Sequence, residues 1–324
     1  MTTMNHANLS LLRSNLNSSL LERHDAIDAM LMAALAGEHV VLLGPPGTGK
    51  SLLARNLARA LGGSYFETLL TRFSSPEDLI GPVSLSGLQN DTYRRVLDGR
   101  IGTCDVAFVD EVFKSNAGTL NAMLAILNER VIHDEGKAKK IPLKICVAAS
   151  NELPRGEEGL EALWDRFIVR VPVEYVKLAE SRVRMMIEVL PEVPADSFPL
   201  DALEACSSEA MALPFADDCA GDFMVLLMKL KEKGVVVSDR RLVKLSKLLR
   251  ASAYLQGSAS CSSEHFDLLL DALWDRPEQR PEIAAILAAS SAPEVTETQT
   301  PEVMTERSAF GGARARGRPR ERHG

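Results

Sequence analysis

Aromatic residues are scarce in this chain: only 5% of its 324 residues are Phe, Trp or Tyr, so the core has to be built from aliphatic side chains. Cysteine is equally sparse. Its five copies, Cys104, Cys146, Cys206, Cys219 and Cys261, are scattered, with no CxxC pair and no metal-ligand spacing. Cys104 and Cys146 fall in or beside apolar runs and are expected as reduced, largely buried residues. No window approaches the roughly 18 apolar residues a membrane span requires. The opening MTTMNHANLS has no basic stretch leading into an apolar one, so no secretory signal is expected and a cytoplasmic location is. Positive charge is not in excess either: 37 Lys and Arg face 44 Asp and Glu, a formal net charge of −7. That balance argues against broad, nonspecific DNA binding and leaves only a local basic patch open. What remains is ordinary for a soluble globular protein, with 46% apolar and 25% charged residues. The length suffices for two domains and a tail.

The most informative stretch is GPPGTGKS: Gly44, Pro45, Pro46, Gly47, Thr48, Gly49, Lys50 and Ser51. It fills every fixed position of the phosphate-binding pattern G-x-x-x-x-G-K-[ST]. The run Val40, Val41, Leu42, Leu43 before it reads as a buried strand, and the stretch from Leu52 to Leu61 reads as a helix. Glycines let backbone N–H groups close on phosphate oxygens, and the helix N-terminus adds partial positive charge. Lys50 is placed to reach β- and γ-phosphates, and the Ser51 hydroxyl to hold Mg²⁺. A plain Gly/Pro turn would have no need of the Lys-Ser pair.

Apolar runs at 40–43, 65–70, 106–109, 143–149 and 167–171 alternate with helical patterns. This predicts an α/β fold, a parallel sheet covered by helices on both faces. A helix is expected over 20–35, ended by Gly37. After Pro172 the strand signal stops. Helical patterns near 178–189, 200–211, 223–231, 240–253 and 265–274 predict a smaller α-helical domain joined near Tyr175. The expected organisation is an N-terminal extension over 1–19, a nucleotide-binding domain over 20–174, a helical lid over 175–287 and a disordered tail over 288–324. The tail is first rich in Ser, Pro, Thr and Glu. Its last eleven residues then hold Arg314, Arg316, Arg318, Arg320 and Arg322. Such composition does not support folding alone. A tether for an anionic partner is the sharper reading, though no aromatic is interleaved for base stacking.

Asp105 to Glu111, DVAFVDE, is an apolar strand ending in two carboxylates. An acid at a strand end beside a phosphate loop can hold Mg²⁺ through its water shell, which gives Asp110 its role. A neighbouring acid can orient and polarise the attacking water, the role for Glu111. The next apolar strand ends Ser150, Asn151, Glu152. There a polar amide could bond the γ-phosphate or the lytic water, or simply cap a turn.

Together these motifs resemble the AAA+ ATPases. Residues 44–51 match Walker A and 106–111 match Walker B. Asn151 matches sensor 1. LEALWDRF, from Leu160 to Phe167, is similar to the arginine-finger segment and makes Arg166 the finger. Ser238-Asp239-Arg240-Arg241 resembles the start of the lid helix bearing sensor 2, with Arg240 the better match and Arg241 the alternative. A closer resemblance is to the MoxR family, and within it to RavA-type ATPases. It rests on LLGPPG at 42–47, TRFSSPED at 71–78, LNER at 127–130 and AASNELP at 148–154.

That resemblance implies an ATP hydrolase using ATP and Mg²⁺, with Leu52 also at the nucleotide. It implies a homo-oligomeric ring, most simply a hexamer, in which Arg166 acts on the neighbour's nucleotide. Arg240 would sense the nucleotide as the lid closes. A von Willebrand factor A partner and a protein client for chaperone-like remodelling come with it. Binding through the further C-terminal module of RavA-type proteins is not carried over. The segments 80–96 and 131–141 resemble two inserted β-hairpins, with tips at Asn90-Asp91 and Glu135-Gly136. Leu21 and His24 fall where an adenine pocket would sit, although His24 equally suits a helix surface. Two other functions compete. One is a nucleic-acid motor, supported by the basic tail and by Lys137, Lys139, Lys140 and Lys144, and opposed by the net acidity. The other is a nucleotide-dependent assembly switch. Lys50→Ala should abolish ATP binding or turnover, and near-normal phosphate release from that variant would sink the site assignment.

Overall fold

A computed structural model of the chain describes residues 2–154 and 159–291. In order its elements are α1 (Thr2–Ser19), α2 (His24–Ala36), β1 (Val40–Leu43), α3 (Lys50–Leu61), β2 (Tyr65–Leu69), α4 (Pro76–Ile80), α5 (Leu85–Gln89), β3 (Val106–Asp110) and α6 (Ala117–Glu129). Then come β4 (Val131–Asp134), β5 (Lys137–Lys140), β6 (Ile145–Ser150), α7 (Leu160–Trp164) and β7 (Val169–Pro172). The helices α8 (Ala179–Ile187), α9 (Leu200–Met211), α10 (Cys219–Glu232), α11 (Asp239–Leu255), α12 (Leu270–Leu273) and α13 (Arg280–Ser291) follow.

The expected α/β architecture is what forms. Five strands make a parallel sheet in the order β2-β3-β6-β1-β7. The central strands β1 and β6 are buried at every position, as a sheet with both faces covered demands. Helix α2 stops where predicted. Gly37 adopts φ +68°, and its N–H closes the last turn on the carbonyls of Ala33 and Ala34. Helix α3 buries Leu53, Ala54, Leu57, Ala58 and Leu61 and lies on β3 and β6.

Two of these segments differ from the sequence expectation. The N-terminal extension is a helix whose Leu9, Leu12 and Leu16 are buried at 0%, 1% and 2% exposure, against α2 and α9. Their helical spacing was the available signal. The insertion at 80–96 is not a plain hairpin. A single antiparallel bridge, Val83 to Arg95, closes it, and the short helix α5 occupies the middle. Ser84 caps that helix by accepting the Gly87 N–H, and a Cβ on Gly87 would meet the Thr92 carbonyl oxygen at 2.9 Å. The second insertion is the expected hairpin. β4 and β5 pair antiparallel around Glu135 and Gly136, which adopt φ +54° and +72°, the geometry of a two-residue turn.

The helices after β7 share one core with the rest. α9 and α11 both lie on α2, and Ser207 Oγ donates to the Leu35 carbonyl at 2.7 Å. The run expected over 265–274 is a 3-10 helix from Ser263 to Leu269 continued by α12. Helix α13 runs to Ser291, so the first residues assigned to the tail are helical; the rest of the tail, with its arginines, lies outside the described residues. All five cysteines are free and buried, with burial pushing the Cys104 thiol up to about 12. No described helix is long and apolar enough to cross a membrane. Because Leu12 sits wholly in the core, Leu12→Ala should cost about 2–5 kcal/mol of stability in denaturant unfolding. A loss below about 0.5 kcal/mol would mean that α1 is not part of the folded unit.

Candidate nucleotide site

β3, β6 and β1 are neighbours and parallel, so the loop after β1 and the last residues of β3 and β6 meet at one edge of the sheet. Gly44 opens the loop. Its N–H donates to the Ser150 carbonyl at 3.1 Å, and an added Cβ would lie 2.0 Å from the Val173 carbonyl oxygen, so the position admits only glycine. Gly47 and Gly49 adopt φ +80° and +86°, and a Cβ on either would meet nothing within 4 Å. The loop therefore faces open space at the N-terminus of α3, where backbone N–H groups and the helix dipole favour an anion.

Lys50 begins α3 and is 7% exposed. Its Nζ donates to the carbonyls of Gly44 at 2.6 Å and Pro45 at 2.9 Å, and to Asn151 Oδ1 at 3.0 Å. Burial lowers its pKa, opposed by the charges of Asp110 and Glu111. Asn151 Nδ2 in turn donates to Glu111 Oε1 at 2.6 Å, and Lys114 Nζ stands 3.2 Å from the same oxygen. Glu111 is held at φ +53°, with its N–H on Asp110 Oδ1 at 2.9 Å. Its other oxygen, Oε2, is buried without a hydrogen-bond partner among the described residues. The fold thus gathers Lys50, Asp110, Glu111 and Asn151, drawn from three strand ends.

The donor set fits Mg²⁺ and a nucleotide phosphate. Ser51 is half-buried in the first turn of α3, the helix that lies on β3, whose last residue is Asp110. Among the described residues no three His, Cys, Asp or Glu side chains form a metal cage. A hydroxyl and one carboxylate still suit Mg²⁺, which keeps waters and takes phosphate oxygens as ligands.

A cleft of about 790 Å³ continues from the loop, with Gly47, Thr48, Gly49 and Leu52 on one wall and Leu20, Leu21, Tyr175 and Val176 among the others. Its size is that of a nucleotide pocket. Leu21 lines it, as expected. His24 does not: it lies in a separate depression, beside Asp25. Two residues that the sequence did not single out brace the loop. Arg23 Nε donates to the Thr48 carbonyl at 3.0 Å and its Nη2 to the Glu174 carbonyl at 2.9 Å. Tyr175 Oη donates to the Pro46 carbonyl at 3.2 Å. Both bind backbone carbonyls, which leave no residue pattern to find.

The candidate arginines lie elsewhere. β7 pairs with β1 in the register Val169 to Val40, so Arg166, just before β7, is at the N-terminal end of the strands. The phosphate loop is at the other end, at least about 10 Å away along the strands at ~3.3 Å per residue. Arg240 is at that N-terminal end too. Its Nη2 donates to Asn128 Oδ1 at 2.7 Å, and four residues on Lys244 pairs with Glu38, which precedes β1. Arg240 thus stands away from the phosphate loop of its own protomer. The helix that carries it packs on α2, and its first turns lie beside Glu38, just before β1. Arg241 is buried and committed to Asp275 and the carbonyl of Ala272, so it is a structural residue. Arg166 and Arg240 are close enough for Arg240 to lower the pKa of Arg166, after the larger effect of burial. Arg166 Nε is buried with no partner among the described residues.

A family profile described as "MoxR domain in the MoxR-vWA-beta-propeller ternary systems" matches residues 7–189. The chain belongs to the MoxR family of AAA+ ATPases. A second profile, an AAA lid domain, matches residues 222–287. An uncharacterized protein of Methanocaldococcus jannaschii is 36% identical over 272 residues, 84% of this chain and 72% of that one. The chaperone MoxR1 of Mycobacterium tuberculosis is 29% identical over 163 residues, 48% of this chain and 41% of that one. A solved structure from Cytophaga hutchinsonii shares the fold with a TM-score of 0.73 at 18% identity, covering 89% of this chain and 95% of its own. The MoxR assignment accounts for the phosphate loop and the paired acids; the placement of Arg240 is read from the structure alone. Arg240→Ala is accordingly expected to leave the Kd of the isolated protomer for ADP unchanged in a fluorescence titration. A Kd weakened about tenfold, or 1.4 kcal/mol, would return Arg240 to its own loop.

Proposed function

We propose that this MoxR protein is a Mg²⁺-dependent ATP hydrolase whose active sites are completed between copies of the chain in a ring, most simply a hexamer. The observation that carries this reading is the pair Arg166 and Arg240. Both lie at the sheet end opposite their own phosphate loop, and the buried Nε of Arg166 has no partner among the described residues. Such a pair calls for an anion from outside the protomer, and a neighbour's triphosphate supplies it. An arginine placed this way is worth about 10³–10⁵ in rate where it has been measured.

Within one protomer, the loop N–H groups and Lys50 hold the phosphates and Asn151 orients Glu111. The buried free oxygen of Glu111 is the group that takes the lytic water's hydrogen bond. Ser51 and Asp110 would hold Mg²⁺, which would supply charge neutralisation to the transferring phosphoryl group. Phosphoryl transfer asks little else of a protein than this positioning and charge compensation.

Self-assembly has a surface to use. Met185, Met186, Ile187 and Val189 are 58%, 83%, 74% and 99% exposed. They follow Tyr175 on the rim of the nucleotide cleft, and apolar exposure on this scale marks an interaction face. The output we assign is chaperone-like remodelling or maturation of a protein client, in line with the name of the mycobacterial relative. A von Willebrand factor A protein is the expected partner, because the matching profile comes from systems that contain one. The nucleic-acid reading loses part of its support, since Lys139 pairs with Asp134 and Lys144 with Glu204.

Glu111→Gln should bind ATP with unchanged affinity, release phosphate at least about 10²-fold more slowly and remain as an assembled ring. Sedimentation with ATP and a phosphate-release assay read both properties. Affinity capture on that trapped ring should retain a von Willebrand factor A protein. Normal turnover by the variant would remove Glu111 from the role of base.

A further inference from the structure

Arg166 sits in a turn between α7 and β7, and Arg240 in the first turn of α11, so the two belong to different parts of the chain. Something must hold them in register. Arg170, 1% exposed, grips the first of these segments. Its Nη2 donates to the Trp164 carbonyl at 3.2 Å and its Nε to the Phe167 carbonyl at 3.0 Å, two residues before and one residue after Arg166 in the turn. Its guanidinium also stacks on the Trp164 ring at 4.3 Å. Arg241 holds the second segment, being adjacent to Arg240 on the same helical turn.

Both arginines converge on one carboxylate. Arg170 Nη1 donates to Asp275 Oδ1 at 2.5 Å, and Arg241 Nη1 to Oδ1 at 3.0 Å and Oδ2 at 3.2 Å. Asp275 is fixed in turn by Gln279, whose Oε1 accepts the Asp275 N–H at 2.9 Å. We propose that Asp275 is a positioning residue for catalysis: by clamping Arg170 to Arg241 it sets the spacing of Arg166 and Arg240 for the neighbouring subunit's nucleotide. This rests on the shared-site reading above.

Charge is what makes the clamp depend on a carboxylate. Without it two largely buried guanidinium groups would face one another, and their repulsion would open the gap between the turn and the helix. Arg170 already feels this, with burial first and Arg241 second pushing it down to about 10. A neutral residue of the same shape keeps one hydrogen-bond acceptor and loses the charge. The Trp274 carbonyl, 2.5 Å from Arg170 Nη1, stays in place to preserve the local fold.

The test is Asp275→Asn in the full-length chain. It should bind ATP with unchanged affinity and assemble normally. Its kcat should fall by on the order of 10²-fold, as expected for an active-site group misplaced by about an ångström, with KM little changed. Asp275→Glu should recover part of the loss. Arg241→Gln, which leaves the pair of Arg170 and Asp275 intact, carries the same expectation for kcat and stands in if Asp275→Asn does not fold. The deciding measurement is co-assembly with Lys50→Ala, whose own loop is dead and whose arginines are intact. Mixed rings of Asp275→Asn and Lys50→Ala should regain activity that neither has alone, because intact arginines then meet an intact loop. Rings of Arg166→Ala and Lys50→Ala form the control. If the control recovers and the Asp275→Asn mixture does not, or if Asp275→Asn alone has normal kcat, the clamp is overturned. If neither mixture recovers, the shared-site reading falls and the clamp falls with it.

Discussion

The parallel pairing of β1 with β6 on one side and β7 on the other is the constraint from which the site follows. A parallel sheet has two unlike ends. Loops leaving the C-terminal ends cluster at one edge, and segments entering the strands cluster at the other. Here the first edge collects the phosphate loop, Asp110, Glu111 and Asn151. The second collects Arg166, Glu38 and, through α11, Arg240. The phosphate loop and the two arginines are thus held apart by the length of the strands. No side-chain rotamer can close that distance within one protomer.

Each half is electrostatically unfinished in its own way. At the loop, buried Lys50 satisfies its three donors with two carbonyls and an amide rather than with a full negative charge. Burial depresses its pKa against the opposing charges of Asp110 and Glu111, and a phosphate would relieve the cost. Glu111 keeps one buried oxygen unmatched. At the arginine edge two cations stand together with Asp165 as the nearby counter-charge. Groups like these cost folding free energy when left unpaired, and they persist where a ligand completes them.

The two edges were not equally readable from the residues. GPPGTGKS, the acids after the 106–109 run and Asn151 were legible because each is a local motif at a strand end, and the strands themselves announced a parallel sheet by continuous apolar runs. The helical nature of α1 was also written, in Leu9, Leu12 and Leu16, although the chain there reads as a polar extension. Arg240 shows the limit. Its motif identified the residue type and the helix start, but its position depends on α11 lying on α2, a contact between segments two hundred residues apart in sequence. Arg23, Tyr175 and Asp275 left no signal at all. Each acts on backbone carbonyls or on a charge brought near only by folding.

The same geometry ties turnover to assembly. If each protomer offers a loop at one edge and arginines at the other, every completed site is also a contact between copies, and occupancy of the site changes the energy of that contact. Binding ATP then strengthens the interface by supplying the anion the arginines lack. Hydrolysis and phosphate release withdraw part of that charge. A differential affinity of this kind is what a nucleotide needs in order to shift one arrangement of subunits toward another. Asp275 matters in that scheme because it joins the turn of Arg166 to α11. A strain felt at the arginines is carried into the helices that lie on α2, and α2 leads through Arg23 back to the protomer's own loop. In that scheme the path from one site to the next would run through packed helices and charged hydrogen bonds within the chain.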